Sequence, residues 1–383
     1  MTEQELNPSS ELIESVTAPA IDIVTSSLRL LRWAHDHGLL VVSAYYPGPD
    51  YEHPTFDSIS QDGIILLRQK QIRFIGVNSQ RGQISVYLNK VAPGGRASKK
   101  LPLTCDGYQL IFRQGATDEV SPTNIAQGAN PCAIHVGAQG SFYTCGSSIS
   151  VGNFRGAGTL TCLLRDGAGG LYGMSNNHVS GACNYAPTGL PIVAPGITDV
   201  APQNPAPFTL GFHLRQLPMT LGDPTVVDTS LNQDVAVFKI ADPARISSMQ
   251  QDAYDTPSLA APLVPGMEVE KVGRTTGHSR GRVINTITGP LAISYSAPQY
   301  NFSGQAYFET MSVVHGLTDR FSDFGDSGSL VVHTDAAGIR YAVGIVVAGG
   351  DDSSAPGTKF SLIMPIQPIL QRLGMSLVSG HNL

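Results

Sequence analysis

The sequence predicts a mainly β protein with a smaller α/β extension on its N-terminal side. From Gly156 onward, short apolar runs recur between turns that contain glycine or proline, and a clear helical pattern returns only at Ile366 to Leu373. Short strands in such a succession are typical of a barrel or sandwich. Before this region, helical spacing is followed by several short runs rich in β-branched residues. With 383 residues, the chain is long enough for more than one domain.

The N-terminal part predicts one helix followed by three strands. Apolar residues between Ile21 and Leu31 recur at spacings of three and four, and Gly38 is placed to end that helix. The predicted strands are Ile64 to Leu67, Ile72 to Val77 and Ile84 to Leu88. Polar turn residues between the last two strands predict a hairpin.

The domain boundary is predicted near residue 135. The stretch 115–131 lacks periodicity, so we expect an α/β accessory domain over residues 1–135 and a second domain over residues 136–383. Residues 1–17 are polar and are expected to be frayed. The predicted helix at Ile366 to Leu373 closes the second domain.

Composition and charge argue against several classes of function. The formal net charge is −6, and the basic cluster Arg96 to Lys100 is short, so no nucleic-acid partner is expected. No apolar run is long enough to span a bilayer, so no membrane partner is expected either. The sequence leaves the oligomeric state open, with a homo-oligomer as one alternative.

The cysteines and the first residues bear on the compartment. The five cysteines are an odd number without metal-type spacing, and the acidic, polar start of the chain does not resemble a secretory signal. We therefore expect a cytoplasmic protein that needs neither a metal nor another cofactor. A disulfide between Cys162 and Cys183 is left open as an alternative.

The stretch Asp323 to Val332 is the first candidate for a reactive site. It predicts a tight turn that feeds a strand, with Ser327 beside glycine and its hydroxyl clear of the backbone. A serine nucleophile needs a neighbouring base, and its tetrahedral intermediate needs backbone N–H donors. Because Gly325 has no Cβ, the amides of Gly325 and Ser327 can converge on one point. The alternative is an ordinary Gly/Ser turn.

A histidine and a carboxylate occupy similar positions elsewhere in the β region. His178 closes the predicted strand 173–179, and Asp234 stands at the start of the apolar strand 235–240. Taken singly, His178 could be structural and Asp234 could be a turn residue. The order His, Asp, Ser, each at the edge of a strand, predicts a single site.

Together these motifs resemble the trypsin-like serine proteases of the chymotrypsin fold. The motifs are Ser175 to Val179, Asn232 to Ala236 and Gly325 to Ser329. A fourth, Lys271 to Val283, is similar to a strand-turn-strand segment of streptogrisin-like and plant narrow-leaf-type proteases. The chain most resembles the narrow-leaf-type group and its bacterial relatives, which also carry an N-terminal extension. The resemblance covers about residues 156–373 and implies a chymotrypsin-like double antiparallel β-barrel.

The resemblance also implies a mechanism. Ser327 would be the nucleophile, His178 the general base and then acid, and Asp234 the carboxylate that orients His178. The amides of Gly325 and Ser327 would form the oxyanion hole. The implied activity is that of a serine endopeptidase that cleaves a protein or peptide substrate through an acyl-enzyme. The alternatives are a catalytically silent binding module and an esterase on the same fold.

Two departures from the digestive enzymes bear on specificity and activation. Phe321 stands where trypsin-like specificity would place an aspartate, so cleavage after Lys or Arg is not expected. Phe321 at the base and Gly349 on the wall strand are the predicted pocket residues, which favours small or medium apolar P1 side chains. The wall strand could instead be a plain buried strand. No activation cleavage site precedes the barrel, so no new amino terminus is expected to pair with Asp326.

Overall fold

The structure is a computed structural model that describes residues 21–46, 48–128 and 130–383. Residues 1–17, predicted to be frayed, lie outside the described residues. The helices are α1 (Ile23–Asp36), α2 (Gln61–Lys70), α3 (Asn177–Ser180) and α4 (Ile366–Leu373).

The first strands are β1 (Ile72–Asn78), β2 (Gln83–Leu88), β3 (Thr104–Cys105), β4 (Tyr108–Gln114), β5 (Ala116–Thr117), β6 (Ile134–Gly137), β7 (Gly140–Cys145), β8 (Ser148–Val151) and β9 (Gly158–Thr159). They are followed by β10 (Cys162–Arg165), β11 (Leu171–Ser175), β12 (Pro191–Ala194), β13 (Phe208–Gln216), β14 (Ala236–Ile240), β15 (Ile246–Gln250), β16 (Tyr254–Asp255) and β17 (Glu268–Gly273). The last strands are β18 (Gly277–Thr288), β19 (Leu291–Ala297), β20 (Phe302–Phe308), β21 (Ser312–Gly316), β22 (Leu330–Thr334), β23 (Arg340–Asp351), β24 (Lys359–Pro365) and β25 (Ser376–Leu377).

Helix α1 begins at a capping residue that the sequence supplies. The Asp22 carboxylate accepts hydrogen bonds from the backbone N–H groups of Val24 at 3.0 Å and Thr25 at 2.9 Å. These bonds satisfy donors that have no partner within the first turn of a helix. The helix runs to Asp36, and Gly38 follows with φ of +62°, a conformation that glycine adopts without strain. The predicted helix and its glycine stop are confirmed.

The predicted strand over Ile64 to Leu67 is wrong, because this run lies in helix α2. The Ser60 side chain caps the helix by accepting from the Gly63 N–H at 3.1 Å. Only Leu67 of the run is buried, whereas Ile65 is 42% exposed. A short apolar run does not distinguish a strand from a helix by its period, so the cap at Ser60 was the better signal.

The N-terminal sheet is continuous with the second barrel. Strands β1 and β2 form the predicted hairpin, with Asn78 opposite Gln83. On its other edge β1 pairs antiparallel with β18, with Ile75 opposite Thr288. The predicted strands β1 and β2 are confirmed, and the boundary near residue 135 stays a prediction.

Six strands of the second barrel form a closed ring. Their order is β17, β22, β23, β24, β21 and β18, and β18 pairs with β17 to complete the circle. The first barrel is built on a sheet with the order β25, β10, β11, β14, β13, β12, β8 and β9. These sheets confirm the predicted mainly β, chymotrypsin-like double-barrel fold, and helix α4 confirms the predicted C-terminal helix.

One apolar core joins the two barrels. It contains Met174 and Val237 from the first barrel together with Leu330 and Ile345 from the second, all of them fully buried. Because the sheets share this core, the strand ends that border it are held close together. The candidate site lies along this line of contact.

The five cysteines, all within the described residues, are buried and unpaired. The disulfide left open between Cys162 and Cys183 is not formed. Burial raises the pKa of the Cys132 thiol to about 11 and that of Cys105 to about 12, so both stay protonated near neutral pH. None of the helices in the described ranges has the length and apolar character needed to cross a membrane.

Candidate active site

His178 and Asp234 meet because β11 and β14 are antiparallel neighbours. Ser175 at the end of β11 lies opposite Ala236 at the start of β14. The residues just beyond Ser175 and just before Ala236 therefore share one edge of the sheet. The prediction that His178 closes the strand is wrong, because His178 lies in the short helix α3 that follows β11.

The Asp234 carboxylate holds His178 at two points. His178 Nδ1 lies 2.6 Å from Asp234 Oδ2, and the His178 backbone N–H donates to Asp234 Oδ1 at 3.0 Å. His178 is 1% exposed and Asp234 is fully buried. The Asn176 side-chain amide donates to the Asp234 carbonyl at 2.7 Å, which fixes the backbone of the acid as well. A buried carboxylate with several donors suits the orientation of an imidazole ring.

Tyr295 supplies another donor to the same carboxylate. Its hydroxyl donates to Asp234 Oδ2 at 3.1 Å, and its ring centroid lies 5.8 Å from that of His178. Burial raises the pKa of Tyr295 well above 10, so the hydroxyl stays protonated. Tyr295 was not predicted from the sequence, because nothing in strand β19 marks it as different from a core aromatic residue.

Ser327 lies in the predicted turn before β22. Its carbonyl accepts from the Thr159 N–H at 2.8 Å, and the next amide, that of Gly328, donates to the Val346 carbonyl at 2.9 Å. Gly328 has φ of +95°, and a Cβ there would meet the Thr159 carbonyl oxygen at 2.2 Å and the Ser175 hydroxyl at 2.7 Å. Only glycine fits this position, which packs the serine turn against the end of the strand that leads to His178.

The Ser327 hydroxyl points toward β23. It donates to the Val347 carbonyl at 3.3 Å. Although both residues are described, no hydrogen bond joins Ser327 to His178 in this structure. Catalytic hydrogen bonds are often loose without substrate and tighten when it binds.

A buried lysine forms an ion pair with Asp326 in the serine turn. Lys271 Nζ lies 3.1 Å from Asp326 Oδ2, and both side chains are fully buried. Asp326 also accepts from the Thr275 N–H at 2.8 Å, the Thr276 hydroxyl at 2.7 Å and the Asp323 N–H at 3.0 Å. Burial lowers the pKa of Lys271 below 10.5, although Asp326 opposes this shift. Asp326 thus pairs with a lysine on β17. No new amino terminus was expected to pair with this carboxylate.

The two predicted oxyanion donors lie on either side of Asp326. Gly325 has φ of +97°. Within the described ranges, the N–H groups of Gly325 and Ser327 donate to no protein acceptor, so both are available to a ligand. No role was predicted for Lys271 from the sequence, although it begins the motif Lys271 to Val283. A lysine between the buried apolar residues of β17 was the signal available.

A cavity of about 40 Å³ opens beside Ser327. Its walls include Ser322 to Gly325 on the serine turn and Ala348 to Gly350 on β23, so Gly349 lies where it was predicted. Phe321 does not line this cavity, which corrects the prediction that it forms the base. Its side chain is 1% exposed and packs in a separate apolar cluster with Val283 and Val314. The next residue, Ser322, lines the cavity instead.

Two acids that line the cavity, Asp118 and Asp323, are paired, whereas a third, Glu119, is exposed and forms no ion pair among the described residues. Asp323 bonds Arg320 at 2.5 Å, and Lys359 lies 3.0 Å from both Asp118 and Asp351. Among the described residues, no group of three His, Cys, Asp or Glu side chains could hold a metal ion.

Comparison with known proteins places a protease family on part of the chain. Residues 216–372 match the family model described as Trypsin. The matched segment contains Asp234, Lys271 and Ser327 and begins after His178. No curated protein matches the chain at a significant level.

Solved structures similar to the chain are bacterial proteases at low identity. Thermobifida fusca Protease A is 16% identical, with 62% of this chain and 98% of that chain covered and a TM-score of 0.39. Nocardiopsis protease is 16% identical over 61% of this chain and 97% of that chain, with a TM-score of 0.38. Cellulomonas bogoriensis chymotrypsin is 16% identical over 62% of this chain and 98% of that chain, with a TM-score of 0.37.

Proposed function

We propose that this chain is a serine endopeptidase of the trypsin-like family, with His178, Asp234 and Ser327 as its catalytic triad. The observation that carries the proposal is the fully buried Asp234 carboxylate bonded to His178 Nδ1 at 2.6 Å, beside a glycine-flanked serine turn. A structural histidine would not need a buried carboxylate, a second backbone bond to it and a neighbouring serine. The narrow-leaf-type group remains our proposal for the subgroup.

The proposed reaction begins with rotation of the Ser327 hydroxyl. Asp234 keeps the proton on His178 Nδ1, so Nε2 carries the lone pair that accepts the hydroxyl proton. The hydroxyl must therefore leave the Val347 carbonyl, to which it donates at 3.3 Å, and turn toward Nε2. Its oxygen then attacks the carbonyl carbon of the scissile bond. The amides of Gly325 and Ser327 receive the oxyanion that forms.

His178 next acts as the general acid. Its Nε2 proton passes to the leaving amine, the peptide C–N bond breaks, and the acyl group stays on Ser327 as an ester. Water then attacks the ester carbon while His178 Nε2 takes its proton; the bond from that carbon to Ser327 Oγ breaks, His178 returns the proton to Oγ, and the carboxylic acid product leaves. During both steps the Asp234 carboxylate stabilises the His178 imidazolium, and the Tyr295 hydroxyl holds that carboxylate in place by a hydrogen bond.

For specificity, we propose a preference for small or medium apolar P1 side chains. A cationic P1 side chain needs an anion in the pocket, and an unpaired buried charge costs roughly several kcal/mol. Of the acids that line the cavity, Asp323 is paired with Arg320 at 2.5 Å and Asp118 with Lys359 at 3.0 Å, and Glu119 is exposed to solvent. A P1 peptide library measures the preference, and a dominant Arg or Lys signal would contradict it.

The second candidate function is a catalytically silent protease fold that binds partners. The observation that favours it is the Ser327 hydroxyl, which bonds Val347 instead of His178. A fluorophosphonate probe labels only an activated serine. Labelling of the wild-type protein that is lost in Ser327→Ala supports the enzyme, and equal labelling of both excludes Ser327 as the nucleophile. Cleavage of an unfolded protein distinguishes a peptidase from an esterase.

We also propose a cytoplasmic location. The support is chemical: all five cysteines are buried as free thiols, which is typical of a reducing compartment. Cell fractionation with an antibody against the chain tests the location. A homo-oligomer stays a prediction that light scattering can test.

A further inference from the structure

Residues 116–126, here called the strap, run across the candidate active site. Strand β5 pairs antiparallel with the end of β23, with Thr117 opposite Gly350 and Ala116 opposite Asp351. The next residue, Asp118, donates its N–H to the Gly349 carbonyl at 3.0 Å. The strap therefore adds a strand to the edge of β23.

This edge of β23 leads directly to the nucleophile. The Val347 carbonyl accepts from the Ser327 hydroxyl at 3.3 Å, and Gly349 lies two residues further along the strand. The register of β23 shifts between Val346 and Ala348, and Ser327 and Gly349 both line the cavity beside the serine turn. The carbonyl that binds the strap and the carbonyl beside Ser327 therefore border one groove. An extended peptide that binds by strand addition would need the same edge.

The strap also forms one wall of the cavity beside Ser327. Asp118 to Ser121 and Asn124 line that cavity together with the serine turn. The Asp118 carboxylate lies 3.0 Å from Lys359 Nζ. Further along, the Ala126 N–H donates to the Phe324 carbonyl at 3.0 Å, so the strap is tied to the serine turn itself.

The strap is not positioned like a substrate at the reacting bond. Beyond Asp118 it leaves β23, and the Val120 N–H donates to the Ser294 carbonyl on β19 at 2.8 Å. Val120 is 7% exposed and packs in the same core as Tyr295. The Val347 carbonyl is left to the Ser327 hydroxyl, so the strap blocks the groove without extending along it to the nucleophile.

We propose that the strap is an autoinhibitory segment: a substrate polypeptide binds only after residues 116–118 leave the edge of β23. The proposal rests on the proposed peptidase function of the site. The occupant that displaces the strap is an extended polypeptide, because the exposed edge offers main-chain carbonyls and a pocket. Strap opening thus sets the fraction of molecules able to bind substrate.

A reversible disulfide between the strap and β23 tests this proposal. Opposite Cα atoms in an antiparallel pair are about 4.5–5.5 Å apart, which suits a disulfide. The variant is Ala116→Cys/Asp351→Cys, and the native cysteines are buried. The oxidised form should cleave fluorescein-labelled β-casein about tenfold or more slowly than the same protein after reduction. Ala116→Cys alone should respond to neither treatment. Equal rates, with the disulfide verified by mass spectrometry, overturn the proposal.

Two matched substitutions test the opposite direction. Asp118 and Asp351 each lie 3.0 Å from Lys359, but only Asp118 belongs to the strap. Asp118→Asn should raise kcat/KM by roughly twofold to fivefold, because a partly exposed ion pair contributes little. Asp351→Asn should leave kcat/KM unchanged. The same response in both variants contradicts a role for the strap.

A binding measurement separates this proposal from the proposed function. In a Ser327→Ala background, the oxidised disulfide variant should bind labelled β-casein about tenfold more weakly than its reduced form, measured by fluorescence anisotropy. Equal binding overturns the strap proposal whether or not the site cleaves peptides. Failure of a fluorophosphonate to label Ser327 in the reduced disulfide variant counts against the peptidase function alone.

Discussion

The buried ion pair between Lys271 and Asp326 should control both the stability and the turnover of the site. Lys271→Met removes the charge, keeps most of the side-chain volume and leaves the Asp326 carboxylate buried. Breaking a buried pair costs about 3–5 kcal/mol. Because Asp326 keeps its bonds from Thr275, Thr276 and Asp323, at 2.7–3.0 Å, we expect the lower end, about 3 kcal/mol.

Turnover should fall in the same variant, because Asp326 lies between the two oxyanion donors. A carboxylate that has lost its cation tends to move toward water, and it would carry the amides of Gly325 and Ser327 with it. Loss of one such donor costs about 10²–10³ in kcat. We expect Lys271→Met to lose about 10² in kcat/KM for β-casein.

A double-mutant cycle provides the assay. Urea unfolding and kcat/KM are measured for Lys271→Met, Asp326→Asn and the variant that carries both. The double variant should be more stable than Lys271→Met, because the isolated charge is gone, with a coupling energy of about 2 kcal/mol. A loss below about 1 kcal/mol in Lys271→Met, or strict additivity in the double variant, would refute the reasoning.

Three further outcomes are expected. Asp234→Asn should retain the fold but lose about 10⁴ in kcat, because the wrong His178 tautomer is then held; near-normal kcat would remove Asp234 from the mechanism. Tyr295→Phe should lower the free energy of unfolding by about 1.5–3 kcal/mol, the cost of a lost bond to a buried charge, and an unchanged urea midpoint would contradict the 3.1 Å bond. Burial lowers the pKa of Lys271 from 10.5, so kcat should fall reversibly as the pH rises toward that value. A kcat that stays constant as the pH rises to 10.5 would contradict this reading.

Local patterns predicted much of the fold. Helix α1 follows from helical spacing and a glycine stop, and the β1–β2 hairpin follows from two β-branched runs around a polar turn. These signals act over a few residues, so they can be read along the chain. The prediction for Ile64 to Leu67 was wrong because so short a run has no readable period, and the capping bond of Ser60 decided the outcome. The prediction that Phe321 forms the base of the pocket was also wrong, because the direction in which this side chain points depends on how its segment packs.

The sequence by itself determined the chemistry of the candidate site. Asp234 and Ser327 lie shortly before strands β14 and β22, and His178 lies in the short helix that follows β11, so each belongs to a local motif that can be recognised along the chain. The tertiary structure alone decided which distant groups support them. Tyr295 donates to Asp234, which lies 61 positions earlier in the sequence. Lys271 pairs with Asp326 inside the barrel, and the strap residue Asp118 bonds Gly349, which lies near the other end of the sequence. Such contacts depend on which strands become neighbours. Burial of the apolar core shared by the two barrels decides this pairing, and it cannot be predicted from any single stretch of residues because the core combines distant segments.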